Sequence, residues 1–100
     1  MKLQQKVLEM MKRIPKGKVT TYRIIAHKLG TKAYRAVGTC VKNNPYAPGI
    51  PCHRVVKSDG SVGFYSAKGG IKTKIKLLEK EGIRIEGKRI VDFEEVLYKF

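Results

Sequence analysis

The sequence predicts a small, mainly α-helical domain with small β-hairpins. Two observations carry that prediction. Apolar residues recur at helical spacing in four stretches, each closed by Pro or Gly. Two shorter stretches alternate instead, one around Asp59-Gly60 and one around Gly87. The size agrees: one hundred residues, 42% hydrophobic, suffice for one modest core, so residues 1–100 are expected to form a single domain.

The elements follow in order. Leu3, Val7, Met10, Met11 and Ile14 share one helical face, and Pro15 stops that helix. Lys16-Gly17-Lys18 is a turn. Thr21 is a candidate cap for a second helix carrying Tyr22, Ile25, Ala26 and Leu29, with Gly30 ending it. A third helix is expected from about Ala33 to Asn43, burying Ala33, Ala36, Val37, Cys40 and Val41. Helix, turn, short helix, Gly turn and helix outline a helix-turn-helix. The small residues of the third helix allow close approach to a partner. Residues 44–51 hold three of the four prolines and read as a stiff connection. His53–Lys57 and Ser61–Phe64 around Ser58-Asp59-Gly60 predict a hairpin, which beside a helix-turn-helix is the wing of a winged helix. Ile71, Ile75 and Leu78 mark a fourth helix ending at Gly82. Residues 83–91 predict a second small hairpin, and Asp92 is a candidate cap for a last short helix carrying Phe93, Val96, Leu97 and Phe100.

Charge narrows the function. Lys plus Arg number 22 against 8 Asp plus Glu, a net of +14. Residues 1–50 hold eleven cations and one acid, Glu9, for +10; residues 51–100 hold eleven cations and seven acids, for +4. Such a field favours a polyanion, nucleic acid first, and the first half is the expected phosphate-facing side. A lysine-rich surface serving solubility alone is the rival reading. The longest apolar runs are a few residues, so neither a membrane-spanning helix nor a secretory leader is expected. Two cysteines, Cys40 and Cys52, are too few for a disulfide scaffold, which suits an intracellular, cytoplasmic chain with free thiols. Cys40, Cys52, His27 and His53 lack finger-type zinc spacing, so no metal is expected.

The chemistry-bearing run is Pro51-Cys52-His53-Arg54-Val55-Val56. A thiol is a nucleophile only as thiolate, and an adjacent imidazole can take its proton. Taken alone, the pair is as compatible with a buried structural cysteine beside an incidental histidine.

That run resembles the active-site signature of the O6-alkylguanine-DNA alkyltransferases, the methylated-DNA–protein-cysteine methyltransferases. Ile14-Pro15-Lys16-Gly17-Lys18-Val19, Thr21-Tyr22, Arg35-Ala36-Val37-Gly38, Asn44-Pro45, Val62-Gly63, Tyr65-Ser66 and Leu77-Leu78-Glu79-Lys80-Glu81-Gly82 resemble the same family, in family order, across roughly residues 3–85. The resemblance implies a winged helix-turn-helix alkyltransferase domain, monomeric, acting on double-stranded DNA that contains O6-alkylguanine, with O4-alkylthymine as a second candidate substrate. The base is flipped out and its alkyl group passes irreversibly to the protein's own cysteine, once per molecule, without metal or organic cofactor. By the same resemblance Cys52 is the nucleophile, His53 its base through a water, and Glu81 the support of the imidazole. Tyr22 helps protonate the leaving guanine, and Asn44 braces the turn before the active-site strand. Arg35 enters the base stack, with Lys32, Ala33, Ala36 and Thr21 around it on the DNA. Pro51, Val41, Val55, Tyr65 and Ser66 line the pocket, Tyr65 and Ser66 donating to the guanine oxygen and the backbone of Cys52 and Val55 reading its edge. Duller readings stand beside several of these: Tyr22 as a core residue, Arg35 as a phosphate contact, Glu81 as a solvated acid. Cys40 reads as a packed small hydrophobe.

Most relatives carry an additional N-terminal, ribonuclease-like domain, and this sequence begins where the catalytic domain begins. Two rival functions remain to be weighed. Alkyltransferase-like lesion sensors share the domain but usually carry tryptophan at the nucleophile position, where this chain has Cys52 and no tryptophan anywhere. A plain winged-helix DNA binder would leave the Cys-His run accidental.

Overall fold

The computed structural model describes residues 2–47, 49–63, 65 and 69–100. The elements run α1 (Leu3–Lys12), β1 (Thr20–Thr21), α2 (Tyr22–Lys28), α3 (Tyr34–Lys42), a 3-10 turn (Cys52–Arg54), β2 (Val55–Val56), α4 (Gly70–Lys80), β3 (Ile85–Glu86), β4 (Arg89–Ile90) and α5 (Phe93–Val96). The fold is mainly helical with small strands, as the periodicities predict.

Local chemistry accounts for most boundaries. The Thr21 hydroxyl accepts from Ile24 N and caps α2. Gly30 follows that helix at φ +72°, a left-handed turn that costs glycine nothing. α1 buries Val7, Met10 and Met11, and α3 buries Val37, Cys40 and Val41. These faces meet α2 in one core cluster that also contains Cys52, Val55 and Tyr65. A second cluster holds Val19, Val56, Val62, Leu78, Ile83 and Ile90. Successive strand residues point to opposite faces, so adjacent Val55 and Val56 enter different clusters, and β2 runs between the two cores. Each fully buried valine contributes roughly 1.5–3 kcal/mol relative to exposure.

Three expectations are corrected. The strand at Val55–Val56 does not form a hairpin with residues 61–64. It pairs in parallel with β1, Thr20 opposite Val55 and Thr21 opposite Val56. The Asp-Gly turn is present, closed by Lys57 N to Ser61 O and by Gly60 N to Lys57 O. Ser61 then bridges to Arg89, so the turn docks on the β3–β4 hairpin. The backbone of Val55 and Val56 is better satisfied by a buried partner strand than by an exposed return strand. Phe64, at the end of the expected return strand, lies outside the described residues. Ala33 and Ala36 are exposed on α3, because α1 and α2 cover only the Val37–Cys40–Val41 face. Asp92 precedes α5 but its side chain caps nothing; it sits in a left-handed turn at φ +55°, and the helix ends at Val96, leaving Leu97 and Phe100 beyond it. The second hairpin forms as expected, Ile85 opposite Ile90 and Glu86 opposite Arg89.

Beyond it, the tail returns to the core: Tyr98 N donates to Val19 O at 2.7 Å, and the rings of Tyr98 and Phe100 meet edge-to-face.

Candidate active site

Two prolines and an asparagine shape the approach to Cys52. The Asn44 amide donates to Ile50 O at 2.8 Å, and its oxygen accepts from Tyr46 N at 2.9 Å. Both ends of one side chain therefore hold the 44–50 loop closed. Pro51 caps the short 3-10 turn that presents Cys52 and His53. Both are buried, Cys52 at 5% exposure.

Glu81 stands at the C-cap of α4, where the helix dipole disfavours an acid. Its partners explain the placement. Arg54 donates twice, Nε to Oε1 at 2.9 Å and Nη2 to Oε2 at 2.7 Å. His53 Nε2 lies 2.9 Å from Oε2. Burial pushes the Glu81 carboxyl up, but the hydrogen bonds from Arg54 and His53 outweigh it and hold the group below the usual carboxylate range. An ionised carboxylate only accepts, so His53 Nε2 must carry the proton. That leaves Nδ1 as the bare, basic nitrogen. It is buried and has no hydrogen-bond partner among the described residues. Burial also depresses the imidazole below its usual value, against the pull of Glu81, which keeps it neutral and able to accept a proton.

Three further groups surround the thiol. Tyr22 and Tyr65 are both pushed up to about 12, by burial first and by the charge of Cys52 second; hydrogen bonding to Cys52 adds to the effect on Tyr65. Both phenols thus stay protonated donors at neutral pH. Lys74, on the inward face of α4, is fully buried and donates from Nζ to Val55 O at 2.8 Å. Burial brings its pKa down to about 8, with the Cys52 charge pulling the other way. Gly63, at φ +75°, keeps the ground above this amine open; a Cβ there would lie 3.2 Å from Lys57 Cγ and 3.8 Å from Lys74 Nζ.

A groove of about 840 Å³ opens beside Tyr22, between α3 (Tyr34, Arg35, Gly38, Thr39, Lys42) and the Lys57–Gly63 turn, with Ile71 and Lys88 completing it. Arg35 lies exposed in the first turn of α3, flanked by exposed Lys32, Ala33 and Ala36.

The sequence-predicted residues therefore divide. Cys52, His53, Glu81, Tyr22 and Tyr65 converge. Asn44 and Pro51 shape the loop, and Val41 and Val55 pack in the same core cluster as Cys52. The Val55 carbonyl is engaged by Lys74, using one of its two lone pairs. Thr21 is a correction: it is buried and its hydroxyl is committed to capping α2, so its side chain offers nothing to a surface ligand. Ser66 lies outside the described residues. Lys74 and the clamping role of Arg54 were not foreseen. The signal for Lys74 was present: it stands three residues after Ile71 and four before Leu78, an inward position that a surface lysine avoids. No group of three or more His, Cys, Asp or Glu among the described residues is placed to hold a metal ion.

Comparison with known proteins gives this geometry its context. The model of the family described as 6-O-methylguanine DNA methyltransferase, DNA binding domain, matches residues 2–83. The chain belongs to that family. The methylated-DNA–protein-cysteine methyltransferase of Methanothermobacter thermautotrophicus is 43% identical over 84 residues, 84% of this chain and 46% of that protein. The protein of the same name from Pyrobaculum aerophilum is 52% identical over 69 residues, 69% of this chain and 45% of that protein. The chain thus spans about half the length of the curated relatives it matches. The Mycobacterium tuberculosis OGT structure in complex with DNA superposes with a TM-score of 0.75 at 40% identity, over 81% of this chain and 50% of that one. S. pombe Atl1, in complex with damaged DNA containing O6-carboxymethylguanine, superposes with a TM-score of 0.85 at 30% identity over the whole of both chains. Membership of that family associates the chain with DNA repair and DNA binding. No helix among its described residues is long and apolar enough to cross a membrane.

Proposed function

We propose that this alkyltransferase domain repairs O6-alkylguanine in double-stranded DNA by moving the alkyl group onto Cys52, once per molecule. The observation that carries the reading is the His53–Glu81–Arg54 chain beside a buried thiol, which sets the imidazole tautomer and leaves Nδ1 to take the Cys52 proton. Duplex DNA meets the basic face, and the damaged nucleotide leaves the stack for the groove beside Tyr22. Arg35, exposed on α3 at the groove, takes its place in the stack. The thiolate attacks the alkyl carbon: the S–C bond forms as the C–O6 bond breaks, and the guanine leaves with the electron pair. Tyr22, held as a phenol, donates a hydrogen bond to the departing base, which recovers a proton; the thiol proton passes to His53 Nδ1 and on to solvent. Lys74, still largely protonated at pH 7 with a pKa of about 8, supplies positive charge near the sulfur. The product is a thioether that no group in the site can cleave. The chain acts as a monomer inside the cell, where the DNA is.

Two DNA-bound structural relatives, one of a methyltransferase and one of Atl1, support DNA as the partner. A lesion sensor is the second reading, favoured by the end-to-end match to Atl1. The test is intact mass after mixing with duplex DNA containing one O6-methylguanine. A gain of one methyl group (about 14 Da for S-alkylation) mapping to Cys52 supports transfer. Tight binding with unchanged mass supports the sensor. Modification of Cys40, or turnover beyond one equivalent, sinks the scheme.

A further inference from the structure

The β3–β4 hairpin lies beyond residue 83, where the match to the family model ends. It is nevertheless fastened to the groove. Val62 N donates to Lys88 O at 2.9 Å, Ile90 N donates to Gly60 O at 2.9 Å, and Arg89 Nη2 donates to Asp59 O at 2.6 Å. The two backbone bonds make Ser61 and Arg89 an antiparallel bridge. The Lys57–Gly63 turn and the hairpin are therefore one body. The tip of the hairpin is a two-residue turn, Gly87 at φ +55° and Lys88 at φ +65°, both left-handed, the twist-matched geometry for a tight connection. That turn aims Lys88 into the groove lining. Cations consequently stand on both sides: Arg35 and Lys42 from α3, Lys57 and Lys88 from the turn and hairpin. No acidic side chain is among the described residues lining the groove; the nearby acid of the turn, Asp59, is occupied by the Ser61 amide and hydroxyl.

A groove with fixed cations on two opposed walls fits a chain of phosphates better than a single anion, since each wall can meet separate phosphates. We infer that the β3–β4 hairpin, through Lys88 with Lys57 beside it, is a second DNA-contacting element that grips the sugar–phosphate backbone across the groove from α3. The inference rests on the DNA-binding reading above, and adds a residue set that the family match does not reach.

The test is equilibrium binding to a duplex carrying one O6-methylguanine, titrated over salt concentration, with the full chain. Lys88→Asn removes the charge and tolerates the left-handed backbone. Its affinity at low salt is expected to fall about three- to fivefold, and the slope of log affinity against log salt to flatten by about 0.9, one phosphate contact. Lys80→Asn, on exposed α4 outside the groove lining, serves as the charge control and should change the slope less. Should Lys88→Asn not fold, Lys57→Gln tests the same wall from ordinary backbone. Wild-type affinity and slope in the folded variant, or an equal effect from Lys80→Asn, would overturn the hairpin's role while leaving the DNA-binding reading standing. Absence of duplex binding and of the Cys52 mass shift in the wild type defeats that reading and this one together.

Discussion

His53 is held from one side of its ring, through Nε2, and its chemistry follows from one carboxylate. Glu81 accepts from Nε2 only while ionised, and Arg54 keeps it ionised. His53→Ala should slow methyl transfer on the order of 100-fold, the usual contribution of a positioned base, with duplex affinity nearly unchanged; rapid-quench transfer against equilibrium binding separates the two. Glu81→Gln should slow transfer in the same sense and also destabilise the fold by about 3 kcal/mol, because it strands a partly buried guanidinium. Chemical denaturation reads the second effect, and an unchanged midpoint would mean that the Arg54–Glu81 pair is structurally idle. Adjacency suggested Cys52 with His53, and the family resemblance added Glu81. It did not suggest Arg54 as a clamp, because its partners, Glu81 and the carbonyl of Ile14, are 27 and 40 residues away.

At the scale of elements, α3 and the loop after it divide the labour. α3 shows the groove its exposed face, Arg35 foremost, while Asn44 holds the loop that leads to Cys52. Extruding a base costs on the order of a few kcal/mol, and a side chain filling the gap offsets that cost. Arg35→Ala should therefore lower repair of duplex DNA tenfold or more, yet leave reaction with a free base such as O6-benzylguanine nearly at the wild-type rate. The informative quantity is the wild-type-to-variant rate ratio on the two substrates. Equal ratios would remove Arg35 from the extrusion step. The first four helices and the second hairpin are legible in the chain because each carries its own period and its own stop signal; the last helix, one turn long, is too short to show a period. The first hairpin was misread because Val55-Val56 is a two-residue apolar stretch that specifies no partner. Parallel pairing with Thr20-Thr21 spans 33 intervening residues, which no local pattern encodes.

The whole molecule has a radius of gyration of 12.2 Å, close to the roughly 13 Å expected of a compact 100-residue domain. Three groups set its pH response. Both Glu81 and His53 have depressed pKa values. For each, the unfolded chain takes up a proton first as pH falls, so stability drops below about 6.5 on account of His53 and further below about 4.5 on account of Glu81. Lys74 acts at the other end: its folded pKa is about 8 against 10.5 unfolded, so the penalty for burying its charge is removed as pH rises between those values, and stability should rise across that window. Melting temperature against pH tests all three, and Lys74→Met should abolish the alkaline rise; a rise that persists in the variant would assign it to another group.

The helical class, the turn positions, the basic first half and the Cys-His pair are legible in the chain alone, because periodicity, Pro and Gly placement, net charge and adjacency are local properties. Tertiary structure alone set the parallel β1–β2 pair, the buried Lys74, the Arg54 clamp and the docking of the last hairpin on the groove. Each of these depends on which distant groups share one dehydrated space. There, an unpaired amide, carbonyl or charge costs enough to select its partner across tens of residues.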